Sequence, residues 1–385
     1  SLTVGSVMRP VTDRFNVSRE KLAYLIDSTA APVCVLVPIS TWAAYILSLI
    51  AAEYEKIGQS VPPLQVFMRA VPYNLYAWVT LALIIFIGYT GIDFGPMAKA
   101  EARAAAAKSE KLVEIEVQDS GRASLLDIIL PVFTLIIATI VSMLALGGFF
   151  SGAGLQQAFE NTDSATAMMY GAFLAIVVAV ALYYFGKRLT LQQNMEAILE
   201  GMKTMMISIV VLILAWSIGG VTEMLGTGSF VANLVSGNLP TFLLPLVAFV
   251  AACIIAFSTG TSWGTFAIML PIAVPMAVAS GLEIPMMIGA VLAGGIFGDH
   301  CSPISDTTIL SSTGADCNHI EHVRTQLPYA VLGAGVAAVG FIAAGITGSA
   351  LVAFSVSVIL AVGVMIGISK WATPAPTSKP PNIKK

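Results

Sequence analysis

Charged side chains are scarce in this chain of 385 residues: only 11% are Asp, Glu, Lys or Arg, whereas 57% are apolar. Soluble domains carry about 25% charged residues. Because so few charged residues could not cover the surface of a soluble protein of this length, lipid must surround much of the exterior. The formal net charge of -3 is small, and it gives no indication of nucleic acid as a partner.

Cysteine and histidine are also rare, with four and three residues respectively. The cysteines are spread widely along the chain, at Cys34, Cys253, Cys301 and Cys317. This spread indicates packing residues and no disulfide framework. His319 and His322 have one residue too few between them to bind zinc as an i, i+4 pair. We therefore predict no bound metal other than a transported ion, and no cofactor.

The chain has long apolar runs, and a helix of about 20 such residues can cross a bilayer. Seven runs are continuous, at 33–52, 71–92, 126–150, 166–186, 204–222, 326–347 and 349–369. Two others, 239–280 and 286–315, are interrupted by polar residues. Because unsatisfied backbone cannot face lipid, the sequence predicts an all-α, polytopic membrane protein. The interruptions must be buried in protein or line a cavity.

Lysine and arginine are unevenly distributed among the loops. They are absent from 151–165 and 221–238 but recur in 1–21, 93–125 and 187–203. Cytoplasmic loops carry an excess of these residues. We predict a multi-pass protein of the inner (plasma) membrane whose basic loops and C-terminal tail face the cytoplasm.

Two segments resemble each other internally. Residues 5–13 (GSVMRPVTD) and 298–306 (GDHCSPISD) share Gly, Pro, a β-branched residue, a hydroxyl and Asp at equal offsets. In both cases a later proline, Pro32 or Pro328, is predicted to open an apolar helix. Internal repeats are typical of secondary transporters.

The repeat predicts a division into four parts. These are the C-terminal part of a first repeat (1–92), a cytoplasmic linker (93–125), a second repeat (126–370) and a cytoplasmic tail (371–385). The second copy has more sequence before its motif than the first, so we expect a comparable block to precede Ser1. The sequence leaves open whether the repeats are parallel or inverted.

The first interruption, 257–265, contains small and hydroxylated residues between two apolar halves. We predict a re-entrant hairpin whose tip binds a dehydrated cation through hard oxygen ligands. The predicted ligands are Ser258, Thr259, Thr261 and Ser262. A helix-packing face made of small residues is the alternative.

The second interruption contains two carboxylates, Asp299 and Asp306, beside Gly298 and Pro303, which favour local unwinding. Carboxylates within the membrane are costly and are functional by default. We predict that Asp299 binds either Na⁺ or H⁺, since desolvation favours its protonated form. Asp306 is predicted to support it or to cap a helix.

His300 is predicted to relay protons or to hydrogen-bond Asp299. Further cation ligands are predicted at Ser302, Ser305 and Thr307. Counterparts in the first repeat are Thr12, Asp13, Asp27, Ser28 and Thr29, of which the last three are equally explained by an ordinary helix N-terminus.

These motifs resemble the NhaC-type sodium/proton antiporter family. The resemblance rests on the segment from Gly298 to Pro328, on Met8–Asp13, on Asp27–Pro32 and on Ser258–Thr265, and it extends over almost the whole chain. It implies an inner-membrane exchanger of Na⁺ and H⁺ with inverted repeats and re-entrant hairpins. It also implies acidic residues upstream of Ser1. Some members of the family exchange malate against lactate.

Other functions fit the sequence less well. Gly260-Thr-Ser262-Trp-Gly264 matches the serine-hydrolase pattern Gly-x-Ser-x-Gly, but a strand-to-helix turn is missing, so we predict no enzyme. A Na⁺- or H⁺-coupled exchanger of small organic anions or amino acids is the alternative. No lysine or arginine lies within 239–315, which favours a bare cation as cargo. A channel is a third class, and the sequence leaves a homo-oligomer open.

Overall fold

The computed structural model describes residues 1–38, 40–111, 126–225 and 240–371. Within these residues the chain is α-helical with short 3₁₀ turns and has no strand. Seven stretches of this part are long and apolar enough to cross a membrane: Leu75–Ala106, Ile129–Ser151, Thr241–Thr259, Ser262–Ser280, Ile284–Cys301, His319–Thr347 and Ala350–Lys370. The predicted all-α, polytopic membrane fold is confirmed.

The described residues form sixteen α-helices. They are α1 (Leu2–Arg14), α2 (Arg19–Leu36), α3 (Thr41–Lys56), α4 (Pro63–Ala70), α5 (Leu75–Thr90), α6 (Gly95–Lys111), α7 (Leu126–Leu146), α8 (Leu155–Glu160), α9 (Ser164–Phe185), α10 (Leu191–Met224), α11 (Leu244–Thr259), α12 (Ser262–Ser280), α13 (Ile284–Cys301), α14 (Asp306–Ala315), α15 (His319–Thr347) and α16 (Ala350–Trp371).

The chain divides into two compact units. The larger draws its described residues from Ser1–Pro38, Leu49–Val113 and Ser208–Lys385. It contains α13 at its centre, packed against α5, α11, α12 and α15. The smaller unit draws on Ile39–Ser48 and Glu114–Ile207, and within it α7 packs against α8 and α9.

Two glycines let α13 lie directly against α11. A Cβ atom on Gly294 would stand 2.3 Å from the carbonyl oxygen of Phe249, and one on Gly298 would stand 2.6 Å from that of Cys253. Small residues at such positions allow two helix backbones to approach closely. This contact positions the end of α13, where the second sequence interruption begins.

The apolar run 33–52 is not one helix, contrary to prediction. α2 ends at Leu36 and α3 begins at Thr41. Val37 precedes Pro38, and the residue before a proline is disfavoured in the helical region. The predicted helix openings at Pro32 and Pro328 are also wrong, because both prolines lie inside helices. α2 and α15 begin earlier, at the N-caps Ser18 and Asn318, whose side chains accept backbone N–H groups.

The linker helix α6 is ion-paired to the N-terminal ends of α2 and α15. The ammonium of Lys21 lies 2.7 Å from the carboxylate of Asp93 and 3.6 Å from that of Glu101. Arg103 pairs with Glu20 on one side and Glu321 on the other. The described part of the predicted linker is therefore largely helical, and one face of this helix packs against the rest of the unit.

The first copy of the repeated motif, 5–13, lies in the continuous helix α1, whereas the second copy spans the end of α13 and the start of α14. The four-part division and the repeat relation stay predictions. The last part of the predicted linker (112–125), most of the loop 221–238 and the tail from 372 lie outside the described residues.

Candidate functional site

The helix is interrupted between α13 and α14, at the second polar interruption of the sequence, as predicted. We call the non-helical residues 302–305 the break. α13 ends at Cys301, residues 302–305 are non-helical, and α14 begins at Asp306. Pro303 lies in the break, where its missing N–H removes a helical hydrogen bond. The helix runs through Gly298 without unwinding, so Gly298 serves the packing against α11 instead.

Asp299 is fully buried near the end of α13. The hydroxyl of Ser305 donates to its Oδ1 at 2.8 Å, and the hydroxyl of Thr307 donates to its Oδ2 at 2.8 Å. Ser305 is also the N-cap of α14 and accepts the N–H of Thr308. The break therefore folds back over the carboxylate and surrounds it with hydroxyl groups.

Asp306 is the first residue of α14 and does not cap it, since the cap is Ser305. Its Oδ1 accepts the N–H of Thr307 at 2.9 Å, and the residue is half-buried. Ser302 is buried and donates to the carbonyl oxygen of Phe257 on α11 at 2.8 Å. This bond ties the break to the C-terminal end of α11.

A second carboxylate, Asp27 on α2, is buried as deeply as Asp299. Its Oδ2 accepts from the Thr308 hydroxyl at 3.1 Å and from Gln326 Nε2 at 2.7 Å. Its Oδ1 accepts from the Ser311 hydroxyl at 3.4 Å. The Thr308 hydroxyl also lies 3.3 Å from the carbonyl oxygen of Asp299. Thr308 therefore links the two carboxyl-bearing segments.

Lysine and arginine do not compensate these two charges among the described residues. Asp299 has no ion pair there, and the one basic group within 4.0 Å of the Asp27 carboxylate in the same residues is the imidazole of His322, whose Nε2 lies 3.5 Å from Oδ2. An isolated buried carboxylate is very costly unless a proton or a cation neutralises it. The arrangement therefore suits the binding of one or the other.

His300 lies beside this pair but contacts other groups. Its Nδ1 is 3.0 Å from the hydroxyl of Tyr76 on α5, and its carbonyl oxygen accepts from Gln326 Nε2 at 2.7 Å. No hydrogen bond joins its ring to Asp299 in the described part of the chain. Of the two alternatives that the sequence left open, proton relay stays a prediction.

The turn between α11 and α12 packs against the break. Gly260 has a φ of 66°, and a Cβ there would stand 2.6 Å from the carbonyl oxygen of Ile304. Ser262, at the start of α12, is buried and donates to the carbonyl oxygen of Gly295. The two interruptions of the sequence therefore meet in the fold.

The other hydroxyls of this turn bond within their own segment. Ser258 and Thr259 donate to carbonyl oxygens one turn back on α11, and Thr261 accepts the N–H of Gly264. Ser258 is exposed and Thr259 is buried. The stretch Thr241–Thr259, which contains α11, and α12 are each long enough to cross a membrane. The re-entrant hairpin stays a prediction.

The predicted first-repeat counterparts of the cation site do not lie together in the structure. Asp13 is exposed and pairs with Arg19 at 2.9 Å, and Thr12 bonds to carbonyl oxygens of its own helix. Thr29 is exposed and donates to the carbonyl oxygen of Leu25. Only Asp27 contacts the α14 hydroxyls, and Ser28 is buried one residue further along α2.

Sequence reasoning missed four residues of the site. They are Thr308 and Ser311 on α14, and His322 and Gln326 on α15. A weak signal was present: Ser305, Thr308 and Ser311 recur every three residues, and His322 and Gln326 are four apart, so each set shares a helix face. Nothing local indicates that both faces meet Asp27.

The structure does not support the enzymatic or zinc alternatives. Ser262 donates to a backbone carbonyl, and no histidine of the described residues hydrogen-bonds it. Within the same part of the chain, no group of three His, Cys, Asp or Glu side chains is arranged to hold a metal ion.

Comparison with known proteins provides the family context. The profile of the Na⁺/H⁺ antiporter family matches residues 33–346. An uncharacterized protein of Haemophilus influenzae is 40% identical over 380 residues, which cover 96% of this chain and 72% of that protein. The malate-2H⁺/Na⁺-lactate antiporter of Bacillus subtilis is 31% identical over 165 residues, 42% of this chain and 33% of its own length. An uncharacterized Na⁺/H⁺ antiporter of H. influenzae is 36% identical over 101 residues, 25% of this chain and 21% of its own.

Proposed function

This chain belongs to the Na⁺/H⁺ antiporter family, and from that premise we propose that it exchanges Na⁺ for H⁺ at Asp299. The observation that carries the proposal is the pair of fully buried carboxylates, Asp299 and Asp27, surrounded by hydroxyl groups and without a lysine or arginine partner in the described residues. A buried site of this kind is stable only when a positive charge occupies it.

Competition for one carboxylate is the proposed basis of exchange. When Asp299 is protonated its charge is neutralised, and the site does not attract a cation. When it is ionised, Na⁺ restores neutrality and takes oxygen ligands from the carboxylate and from the hydroxyls of Ser305 and Thr307. Because the two states exclude each other, movement of the loaded site across the membrane couples one ion to the other.

The helix ends around the break add to the attraction for a cation. The C-terminal end of α13 carries partial negative charge from carbonyl groups that lack helical partners. Broken helices of secondary transporters bind Na⁺ through such carbonyls near the bilayer midplane. Asp299 lies in the last turn of α13, so the carboxylate and the helix end act on the same ion.

The sidedness that the basic residues predict is also part of the proposal. The start of α2, the linker helix α6 and the start of α15 meet through ion pairs. Segments that pair with one another must lie on the same side of the membrane. We place that side in the cytoplasm, with the protein in the inner membrane.

The decisive experiment is collapse of a preformed pH gradient by Na⁺ in everted membrane vesicles that contain the full-length protein. We expect a Na⁺-dependent signal in the wild type and a loss of at least about a hundredfold in Asp299→Asn, because Asn cannot exchange a proton. Asp13→Asn is the matched control: it removes an exposed carboxylate and should exchange normally.

Two outcomes would contradict the proposal in different ways. Normal exchange by Asp299→Asn would show that this carboxylate is not the coupling group. If Na⁺ and Li⁺ do not collapse the pH gradient in wild-type vesicles but malate or lactate does, the result would favour the alternative function, exchange of small organic anions. That alternative is favoured by the similarity to the B. subtilis malate-2H⁺/Na⁺-lactate antiporter. The absence of a basic residue from 239–315 argues against it.

A further inference from the structure

A small polar cavity lies beside Asp27, which contacts the lining residue Gln326. We call it the Gln326 cavity. Tyr24 and Ser28 of α2, Tyr76 and Thr80 of α5, His300 of α13 and Gln326 of α15 line it. It is narrow, with no room for a water molecule.

Four atoms of the cavity lining have no hydrogen-bond partner among the described residues. They are the hydroxyl oxygens of Tyr24 and Ser28, Nε2 of His300 and Oε1 of Gln326. All four side chains are at most 2% exposed. Buried polar atoms nearly always have a partner, and exceptions that cluster at one place need an explanation.

The orientation of the Gln326 amide is fixed by its partners. Its Nε2 donates to Asp27 and to the carbonyl oxygen of His300, each at 2.7 Å. A flipped amide would place its oxygen against two acceptors, which repel it. The carbonyl oxygen is therefore the amide atom left for a ligand in the cavity.

The lining indicates the charge and the size of that ligand. Six of its polar side chains, including that of Tyr329, offer hydroxyl or carbonyl oxygens, no lysine or arginine is among the residues that line it, and Gln326 donates to the Asp27 carboxylate. Such a site favours a cation with hard oxygen ligands. Because a water molecule does not fit, the cation must be small and bare. The absence of a multi-carboxylate cluster in the described residues favours a single charge.

We propose that the Gln326 cavity is a second alkali-cation site, separate from the site at Asp299. The inference rests on the proposed Na⁺/H⁺ exchange. Thr308 and Gln326 both contact Asp27, so the negative charge of Asp27 lies between the two sites.

Two conservative variants test the site because each removes only an unpartnered oxygen. Ser28→Ala deletes one hydroxyl, and Tyr24→Phe deletes another while keeping the ring that packs 4.9 Å from Tyr329. If these hydroxyls were merely structural, their loss would leave the amount of bound Na⁺ unchanged. If they bind a cation, its affinity falls by about tenfold.

The measurement is equilibrium binding of radioactive Na⁺ to purified full-length protein in detergent. At the lowest Na⁺ concentration that saturates the wild type we expect two ions per wild-type chain and fewer than two in Ser28→Ala and Tyr24→Phe, because a site weakened about tenfold fills only in part. Ser357→Ala is the matched control, because its buried hydroxyl bonds only to the carbonyl oxygen of Ala353. It should bind two ions.

The outcomes separate this inference from the proposed function. One ion per wild-type chain, unchanged in Ser28→Ala and Tyr24→Phe, would overturn the second site and leave exchange at Asp299 intact. No Na⁺ bound to the wild type would overturn both. Two ions that persist in both variants would place the second ion elsewhere and would also overturn the inference.

Discussion

Asp27 accepts hydrogen bonds from the surrounding side chains and has no lysine or arginine partner among the described residues. Three donors, from Thr308, Ser311 and Gln326, point at its two oxygens. Hydrogen bonds to a charged acceptor are among the stronger ones, yet they leave the net charge in place. An uncompensated buried charge destabilises the fold, and a bound cation relieves this cost.

This leads to a prediction for Asp27→Asn. Na⁺ should stabilise the wild type by about 1.4 kcal/mol at ten times its Kd, as mass action requires. In Asp27→Asn we expect this gain to fall, because one of the two attracting carboxylates is gone while Asp299 can still bind the ion. The measurement is the thermal unfolding midpoint of the purified protein in Na⁺ and in choline.

The control for this prediction is Asp316→Asn. Asp316 is exposed and has a φ of 56°, a conformation that Asn tolerates well. Its unfolding midpoint should respond to Na⁺ as the wild type does. An unchanged Na⁺ response in Asp27→Asn would show that Asp27 does not contribute to cation binding.

The sequence and the fold suggest different roles for His322. In the sequence it suggested, at most, a zinc ligand. In the fold it is fully buried, and its Nε2 faces Asp27 at 3.5 Å. The contact joins residues almost 300 positions apart, so no local pattern could reveal it.

At the scale of elements, the site depends on two turns that touch. The turn at Gly260 joins α11 to α12, and it packs on Ile304 in the break between α13 and α14. Ser302 adds a hydrogen bond from the break to α11. Movement of either helix pair would therefore displace the hydroxyl groups around Asp299.

We predict that Gly260→Ala impairs exchange far more than Gly281→Ala. Both glycines have positive φ, of 66° and 70°, so each substitution costs about 1–2 kcal/mol of backbone strain. Only at Gly260 would the new Cβ also meet backbone, 2.6 Å from the carbonyl oxygen of Ile304. Nothing lies within 4 Å of a Cβ at Gly281.

The comparison is measured as Na⁺-induced collapse of the pH gradient, normalised to the amount of protein in the vesicles. We expect a loss of about tenfold or more in Gly260→Ala relative to Gly281→Ala, since added bulk in a packed site costs about 1–3 kcal/mol. Equal activity of the two variants would mean that the contact with Ile304 does not support the site.

At the scale of the whole molecule, the ion pairs of α6 define one polar end of the larger unit. Lys21, Asp93 and Glu101 are largely buried, and the Tyr329 hydroxyl also donates to Asp93 at 3.3 Å. Breaking a buried pair leaves an uncompensated charge. This end of the unit is therefore held together more firmly than an exposed loop would be.

The sidedness proposal predicts the labelling of a cysteine placed in α6. Lys99 is exposed, so Lys99→Cys should react with a membrane-impermeant maleimide in everted vesicles and not in intact cells. The variant is made in a chain whose four natural cysteines are replaced, and the unsubstituted cysteine-free chain is the control. Labelling in intact cells would place this end outside and reverse the orientation.

The sequence by itself determined the class of the molecule and the position of its principal break. Composition decides whether an exterior can face water, and a proline with neighbouring polar residues interrupts a helix locally; both effects act without long-range contacts. For the same reason Asp299 could be singled out, together with the adjacent hydroxyls of Ser305 and Thr307.

Only the tertiary structure decided which distant groups complete the site. Asp27 is joined by Thr308, His322 and Gln326, and His300 turns towards Tyr76 and not towards Asp299. These contacts depend on how α2, α5, α14 and α15 pack, and packing optimises the burial of whole helix faces. Local helix propensity does not depend on how the helices pack. The partners of a buried charge are therefore defined only when the helices have assembled.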